Sequence, residues 1–243
     1  GICARDGESR MKKKSIMGIK NIKGEKFVAL VVFIVLGFLA LQMPINNLAG
    51  SGAKFTMFDL FAPISGAFLG SWFGVAAVFF MQVANLVFHG FANFDKGTII
   101  RLFPVLFGVW FFSKRSGNFL VIPAIAIILF NLNPVGRSVW YYSLFWTIPF
   151  LVYPVVKKSL VARSLASTFI AHSVGGAIWI WTFNLPAQVW TGLVPITALE
   201  RSIMTLGICA SYILVNNLVA VVAKKSKLLN LSLDKKYLLG IVK

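Results

Sequence analysis

Cysteine, histidine and acid are all scarce in this 243-residue chain, which has two Cys, two His and seven Asp or Glu. Cys3 stands in an N-terminal tail and Cys209 inside an apolar run, which excludes a disulfide framework and any CxxC metal site. Cys209 reads as a small core thiol. His89 and His172 form no HxxxH or HExxH pair, so no two imidazoles share a helix face to hold a metal. There is no Walker A loop, so an ATP-driven step would need an ATPase on another chain. These absences assign no catalytic residue, no metal and no cofactor.

The chain is instead rich in hydrocarbon. Hydrophobic residues make up 58% and charged residues 13%, and the mean hydropathy is +0.82. This is too apolar for a soluble globule and matches a polytopic membrane protein. The formal net charge of +17 does not indicate nucleic acid, because the basic residues sit in tails and short turns, as in cytoplasmic loops.

"GICARDGESR" differs in character from "MKKKSIMGIKNIKGEK", so residues 1–10 read as sequence upstream of a start at Met11. The expected organisation is a basic cytoplasmic tail over 1–26, a transmembrane domain over 27–223 and a second basic cytoplasmic tail over 224–243. Phe27 to Met43 reads as an uncleaved anchor rather than a signal peptide, given its length and the further apolar runs after it. The expected fold is all-α, a transmembrane helix bundle with eight hydrophobic segments: 27–44, 57–70, 74–91, 98–112, 119–133, 139–156, 164–183 and 195–222. Some have only 14 or 15 residues and would rise about 21–23 Å, against a hydrocarbon core of roughly 30 Å.

With eight crossings and a cytoplasmic N-terminus, 19 of the 24 basic residues lie inside, Lys157, Lys158 and Arg163 among them. Only Lys54, Lys96 and Arg137 lie outside, and Arg101 and Arg201 fall within runs. The alternative has six full crossings, with 57–70 and 98–112 as re-entrant half-helices, and satisfies the same charge bias.

Ala62, Gly66, Gly70 and Gly74 recur every fourth residue, which permits either close helix packing or a tight turn at "GSWFG". Gln82, Asn85 and His89 share one helical face. Ser164, Thr168 and His172 share another, beside a small-residue stripe of Ser167, Ala171 and Gly175. A third joins Arg201, Thr205, Cys209, Tyr212 and Asn216. Such faces avoid lipid, and most single polar residues in them serve as interhelical glue.

Charged residues need specific partners. An unpaired Arg or Glu near the bilayer centre costs about 2.5–3.5 kcal/mol on insertion scales. Glu200 and Arg201 are neighbours, about 100° apart around a helix, so each is expected to address a different partner. The expected pairs are Glu200 with Arg101 or Arg137, and Arg201 with Asp59 or a ligand carboxylate or phosphate. Asp59, His89, Arg101, Arg137, Glu200 and Arg201 all fall at the outer level, with Trp140, Tyr141, Tyr142, Trp179, Trp181 and Trp190. One reading is an interfacial belt with salt bridges locking helix ends. The other is an outward-facing pocket with aromatic walls, formed by Asp59, Gln82, Asn85, His89, Arg101, Arg137, Trp140, His172, Trp181, Glu200 and Arg201. Basic groups exceed acids at that level by two, Lys54, Lys96, Arg101, Arg137 and Arg201 against Asp59, Asp95 and Glu200, which favours an anionic or zwitterionic solute.

The basic N-terminus, a first anchor helix and the Pro- and Gly-bearing stretch "DLFAPISGAFLGSWFGVAAVFFMQVAN" resemble the substrate-binding S components of energy-coupling-factor vitamin transporters, mainly over residues 27–91. The resemblance implies a micronutrient pocket near the outer face and docking on a transmembrane coupling subunit with two ATPases. That family has six crossings, and its Ala-xxx-Ala docking pattern has no counterpart in the first helix here. Expected partners are therefore the lipid bilayer of the inner membrane, a small-molecule solute and such a coupling complex, with no nucleic acid.

Two other classes compete. A membrane assembly or scaffold factor would use the same polar faces to bind another protein. An intramembrane hydrolase would need more than the chain offers. Ser173 directly follows His172, the wrong arrangement for a rhomboid-type pair, and a glutamate-based site would have only Glu200, Arg201, His172 and His89.

Overall fold

A computed structural model describes residues 30–31, 33–51, 53–91, 95–226 and 233–240. The start read at Met11, the basic tail over 1–26 and residues 227–232 and 241–243 of the other tail lie outside the described residues. The described chain is mostly helical, with one small two-stranded sheet. It divides into two compact units, residues 34–212 and a second made of 1–33 with 213–243.

Helix α1 (residues 33–41) leads into an antiparallel hairpin, β1 (Pro44–Asn47) and β2 (Lys54–Thr56). Pro44 cannot donate a helical hydrogen bond, which ends the apolar run there. Ala49 and Gly50 then begin the turn, with Gly50 at φ +79°. Asn47 pairs with Lys54 and Pro44 with Thr56, and a bulge falls between Pro44 and Asn46. The hairpin is an addition to the all-α expectation.

Helices α2 (Phe58–Leu69) and α3 (Ser71–Phe88) form a tight pair around Gly70, whose φ is +90°. Both readings of the glycine stripe hold together. Gly70 makes the turn, and Gly66 and Gly74 meet across it, so that a Cβ on Gly74 would lie 2.5 Å from the Gly66 Cα.

Prolines and caps divide the rest of the larger unit. Asp95 accepts from the Thr98 amide (2.7 Å) and starts α4 (Lys96–Arg101), and Pro104 opens α5 (Pro104–Lys114). Next come α6 (Val121–Leu132) and α7 (Pro134–Ser138), the latter capped by Asn133. Residues 139–156, expected as one crossing, are a 3₁₀ segment (Trp140–Thr147), the short α8 (Ile148–Val152) and a further 3₁₀ turn (Tyr153–Val155). Pro149 and Pro154 each remove a ladder donor there. Ser159 caps α9 (Leu160–Thr182), and α10 runs from Ala187 to Ser226.

Helix α9 is the centre of the larger unit, packed on α4, α5, α6 and α8. Fourteen of its 23 residues are buried, and they include Ser164, Ser167, Thr168 and Ser173. A helix enclosed by protein can carry hydroxyls on several sides, because neighbouring backbones satisfy them: Ser167 Oγ donates to the Gly108 carbonyl at 2.8 Å. Up to Tyr212, α10 packs on α2 and α5 through the Tyr212 ring, 5.3 Å from that of Phe68 and 5.7 Å from that of Phe112.

Eight spanning segments are not what the chain folds into. Among the described residues, three helical stretches are long and apolar enough to cross a membrane, Ser71–Phe88, Lys96–Lys114 and Ala187–Val221. The apolar helices Phe58–Leu69 and Gly117–Leu132 are shorter than a span, residues 139–156 are broken, and α9, with Arg163, His172 and several hydroxyls among its residues, is not among the three. Arg163 also departs from its expected place as a loop charge. It is buried in the first turn of α9, where its Nε donates to the Phe112 carbonyl (2.6 Å) and its guanidinium lies 3.8 Å from the Phe112 ring centroid.

In the smaller unit two buried asparagines hold the C-terminal segment by its backbone. Asn216 exchanges hydrogen bonds with Asp234, from Nδ2 to the carbonyl (3.0 Å) and from the amide to Oδ1 (2.9 Å). Asn217 donates to the Tyr237 carbonyl and accepts from the Leu239 amide, both at 2.8 Å.

Candidate functional site

The larger unit holds a partly open cavity of about 140 Å³. Its walls come from the hairpin, α2, the α4–α5 region, the 3₁₀ segment, α9 and α10. On α10 the lining residues Trp190, Leu193, Thr197, Arg201, Met204 and Ile208 recur every three or four positions, one continuous helical face. On α9 the small stripe expected from sequence supplies Ser167, Ala171 and Gly175, and the adjoining face supplies Thr168, His172, Gly176 and Trp179. Small residues keep the space open, while Trp179, Trp190, Tyr142 and Phe55 give it aromatic walls.

Four charged side chains line this cavity: Asp59, Arg101, Glu200 and Arg201. They come together as expected, but the pairing is exchanged. Arg101 Nη2 reaches both Asp59 oxygens, at 2.8 and 3.0 Å. Glu200 accepts from the side chain of Asn46 on the hairpin. Arg201 is 4% exposed; its Nη1 donates to Thr168 Oγ1 at 3.3 Å, its Nη2 stands 3.8 Å from Glu200 Oε2, and its Nε has no hydrogen-bond partner. The physical reason is reach. Arg101 leaves the last turn of α4 toward the start of α2, whereas Glu200 and Arg201 diverge from one another along α10 and approach only at their tips.

Phe55 joins the two arginines. Its ring centroid lies 5.0 Å from the Arg101 guanidinium carbon and 4.8 Å from that of Arg201. A ring between two cations offsets part of their mutual repulsion through its negative faces. Phe55, Asn46 and Thr168 were not among the expected site residues. The alternation and Gly-rich turn of "PINNLAGSGAKFT" is the signal that marks the hairpin, whereas nothing local marks which of its residues meet an arginine.

His172 lines the cavity and belongs to a hydrogen-bond chain. The Trp146 indole can only donate, so His172 Nδ1 accepts from it (3.0 Å), which leaves the proton of the neutral ring on Nε2. That nitrogen is 3.3 Å from the Tyr142 hydroxyl, itself 2.9 Å from Thr197 Oγ1. The chain fixes an uncharged imidazole in the wall. A second buried donor without a partner, Trp190 Nε1, also belongs to a lining residue.

The remaining expected site residues lie elsewhere. Gln82, Asn85 and His89 share one face as expected, but they border a separate space lined also by Gln42, Lys54 and Arg101. There they tie elements together. Gln42 donates to Asn85 Oδ1 (2.7 Å) and its Oε1 lies 2.8 Å from His89 Nε2. Gln82 donates to the Leu102 carbonyl at 3.2 Å, beside the break between α4 and α5 where helical acceptors are freed. Arg137 and Trp140 are exposed and line neither space, and Trp181 is exposed with its indole on the Leu129 carbonyl (3.0 Å). These three stand on the outside of their elements, as an interfacial belt requires.

The chain is 25% identical over 198 residues to an uncharacterized protein of Methanocaldococcus jannaschii, an alignment covering 72% of this chain and 63% of that protein. The chain thus spans less than two thirds of that relative's length. No family model and no solved structure matches it.

Proposed function

We propose that the protein is a multi-pass inner-membrane protein that binds a small solute bearing a carboxylate in the cavity beside Arg201, and serves as the substrate-binding subunit of an uptake system. The observation that carries this reading is Arg201 itself, a buried guanidinium on a cavity wall with an unpartnered Nε and its nearest carboxylate at 3.8 Å. Elsewhere in the same cavity Asp59 satisfies Arg101 at hydrogen-bond distance, so the incomplete pairing of Arg201 is specific to it. A ligand carboxylate would complete it with short charge-assisted bonds. The size suits a molecule with a body near that of benzene, which an apolar cavity of about 150 Å³ admits.

The cavity opens to the outer side in this reading, with both termini cytoplasmic, as the distribution of basic residues favours. The twelve-residue α2 is shorter than a span, which suits a half-helix at 57–70 better than a full crossing. By resemblance to the S components, energy would come from ATPases reached through a coupling subunit.

The test is native mass spectrometry of the detergent-purified full chain. The expected result is a small molecule retained by the wild type and lost from Arg201→Met, with coupling and ATPase chains recovered under milder extraction. A wild-type protein that retains no small molecule and binds none of the carboxylates offered would overturn it.

A further inference from the structure

Resting on the solute-binding reading above, we infer that the ligand of this cavity is a zwitterion of the α-amino-acid type, whose two head groups bridge Glu200 and Arg201 from the cavity side.

The charge balance of the wall comes first. Counted along the sequence, cations exceed acids at the outer level by two, but Lys54 lines only the second space, and Lys96 and Arg137 line neither. The charged groups on the cavity are two acids and two arginines, with His172 held neutral by the Trp146 indole. The lining therefore carries no net charge. A monoanion or a monocation would bring an uncompensated charge into a largely apolar space, whereas a zwitterion would not.

The gap comes second. The Asp59–Arg101 pair is closed at 2.8 Å, with both carboxylate oxygens engaged. The Glu200–Arg201 pair is open at 3.8 Å, beyond hydrogen-bond length. Neighbours on a helix diverge by about 100°, so these two charges cannot close on each other without side-chain strain, and they present adjacent positive and negative points to one cavity. An α-amino acid carries its carboxylate and ammonium on a single carbon. The carboxylate would accept from the Arg201 guanidinium, and the ammonium would donate to Glu200. One long ion pair becomes two short ones. Phe55, already 4.8 Å from the Arg201 guanidinium, backs the head-group end, and Trp179, Trp190 and Leu193 offer an apolar seat for the side chain.

The test is isothermal titration of the detergent-purified full chain, near neutral pH, with matched triplets that share one side chain. The first is leucine, 4-methylpentanoate and isoamylamine; the second is phenylalanine, 3-phenylpropanoate and phenethylamine. The expected result is that an amino acid binds and that both of its singly charged analogues bind at least roughly tenfold more weakly. Glu200→Gln should weaken the amino acid but spare the carboxylate, and Arg201→Gln should weaken both. The triplet comparison on the wild type stands even if a variant fails to fold. A carboxylate that binds as tightly as its amino acid overturns the zwitterion and leaves the solute-binding reading intact. If no member of either triplet binds, the molecule retained in native mass spectrometry decides: a zwitterion supports the inference, a singly charged or uncharged molecule overturns it alone, and no molecule overturns both.

Discussion

Arg101 and Asp59, 42 residues apart in the sequence, close on each other as a two-oxygen ion pair at 2.8 and 3.0 Å. The pair ties the end of α4 to the first turn of α2 and forms one wall of the cavity. It also releases Glu200 and Arg201 from the partners that helical spacing alone would give them. The incomplete contact in the site lies with Arg201 because the complete one lies with Arg101.

Breaking that pair from one side should destabilise the protein. Asp59→Asn leaves a partly buried guanidinium with a neutral acceptor, at a cost of about 1–3 kcal/mol. In a double-mutant cycle on chemical unfolding in detergent, Asp59→Asn and Arg101→Gln should couple by about 0.5–3 kcal/mol. A larger coupling between Arg101→Gln and Glu200→Gln would show that the sequence-based pairing was right.

His172→Phe should cost about 1–3 kcal/mol, since it strands the buried Trp146 indole and removes one of the two partners of the Tyr142 hydroxyl. The check is the unfolding midpoint together with Trp146→Phe in the His172→Phe background. Removing the stranded indole should cost less there than in the wild type. Equal costs in both backgrounds would mean that the indole–imidazole bond contributes nothing.

Two glycines should answer substitution in opposite ways. Gly74→Leu drives a side chain into the Gly66 backbone, 2.5 Å from where the Cβ would sit, and should cost at least about 1–3 kcal/mol or abolish folded yield. Gly192, inside α10 with nothing within 4 Å of its Cβ position, should become more stable by up to about 1 kcal/mol as Ala. Melting temperatures in detergent separate the two, and a tolerated Gly74→Leu would contradict the close approach of α2 and α3.

The asparagine pair predicts a localised effect. Asn217→Ala should speed hydrogen exchange at the Leu239 amide and leave that of Asp234 protected, and Asn216→Ala should do the reverse. Simultaneous loss of protection at both amides in either variant would mean that the segment is held as one unit rather than by two separate contacts.

Much of this site was legible as faces and little of it as contacts. The stripe of Ser167, Ala171 and Gly175, and the placement of His172 and Arg201 on inward faces, follow from period 3.6 in α9 and α10. The same rule put Gln82, Asn85 and His89 on one face, but it could not say that the face meets Gln42 and a broken helix end rather than the cavity. Charge counting likewise overestimated the cations at the site, because a loop lysine and a cavity arginine look alike in a count.

By itself the sequence determined a mostly helical chain with helices apolar enough to cross a membrane, bearing inward polar stripes and lacking cysteine and histidine pairs. Periodicity, composition and spacing are local properties, and each constrains one helix at a time. The tertiary structure alone decided that Asp59 takes Arg101, that a hairpin brings Asn46 to Glu200 and Phe55 to two guanidiniums, and that residues 139–156 break into short turns beside the cavity. Those outcomes depend on how far side chains from separate elements reach into shared space, and a one-dimensional pattern carries no distances between elements.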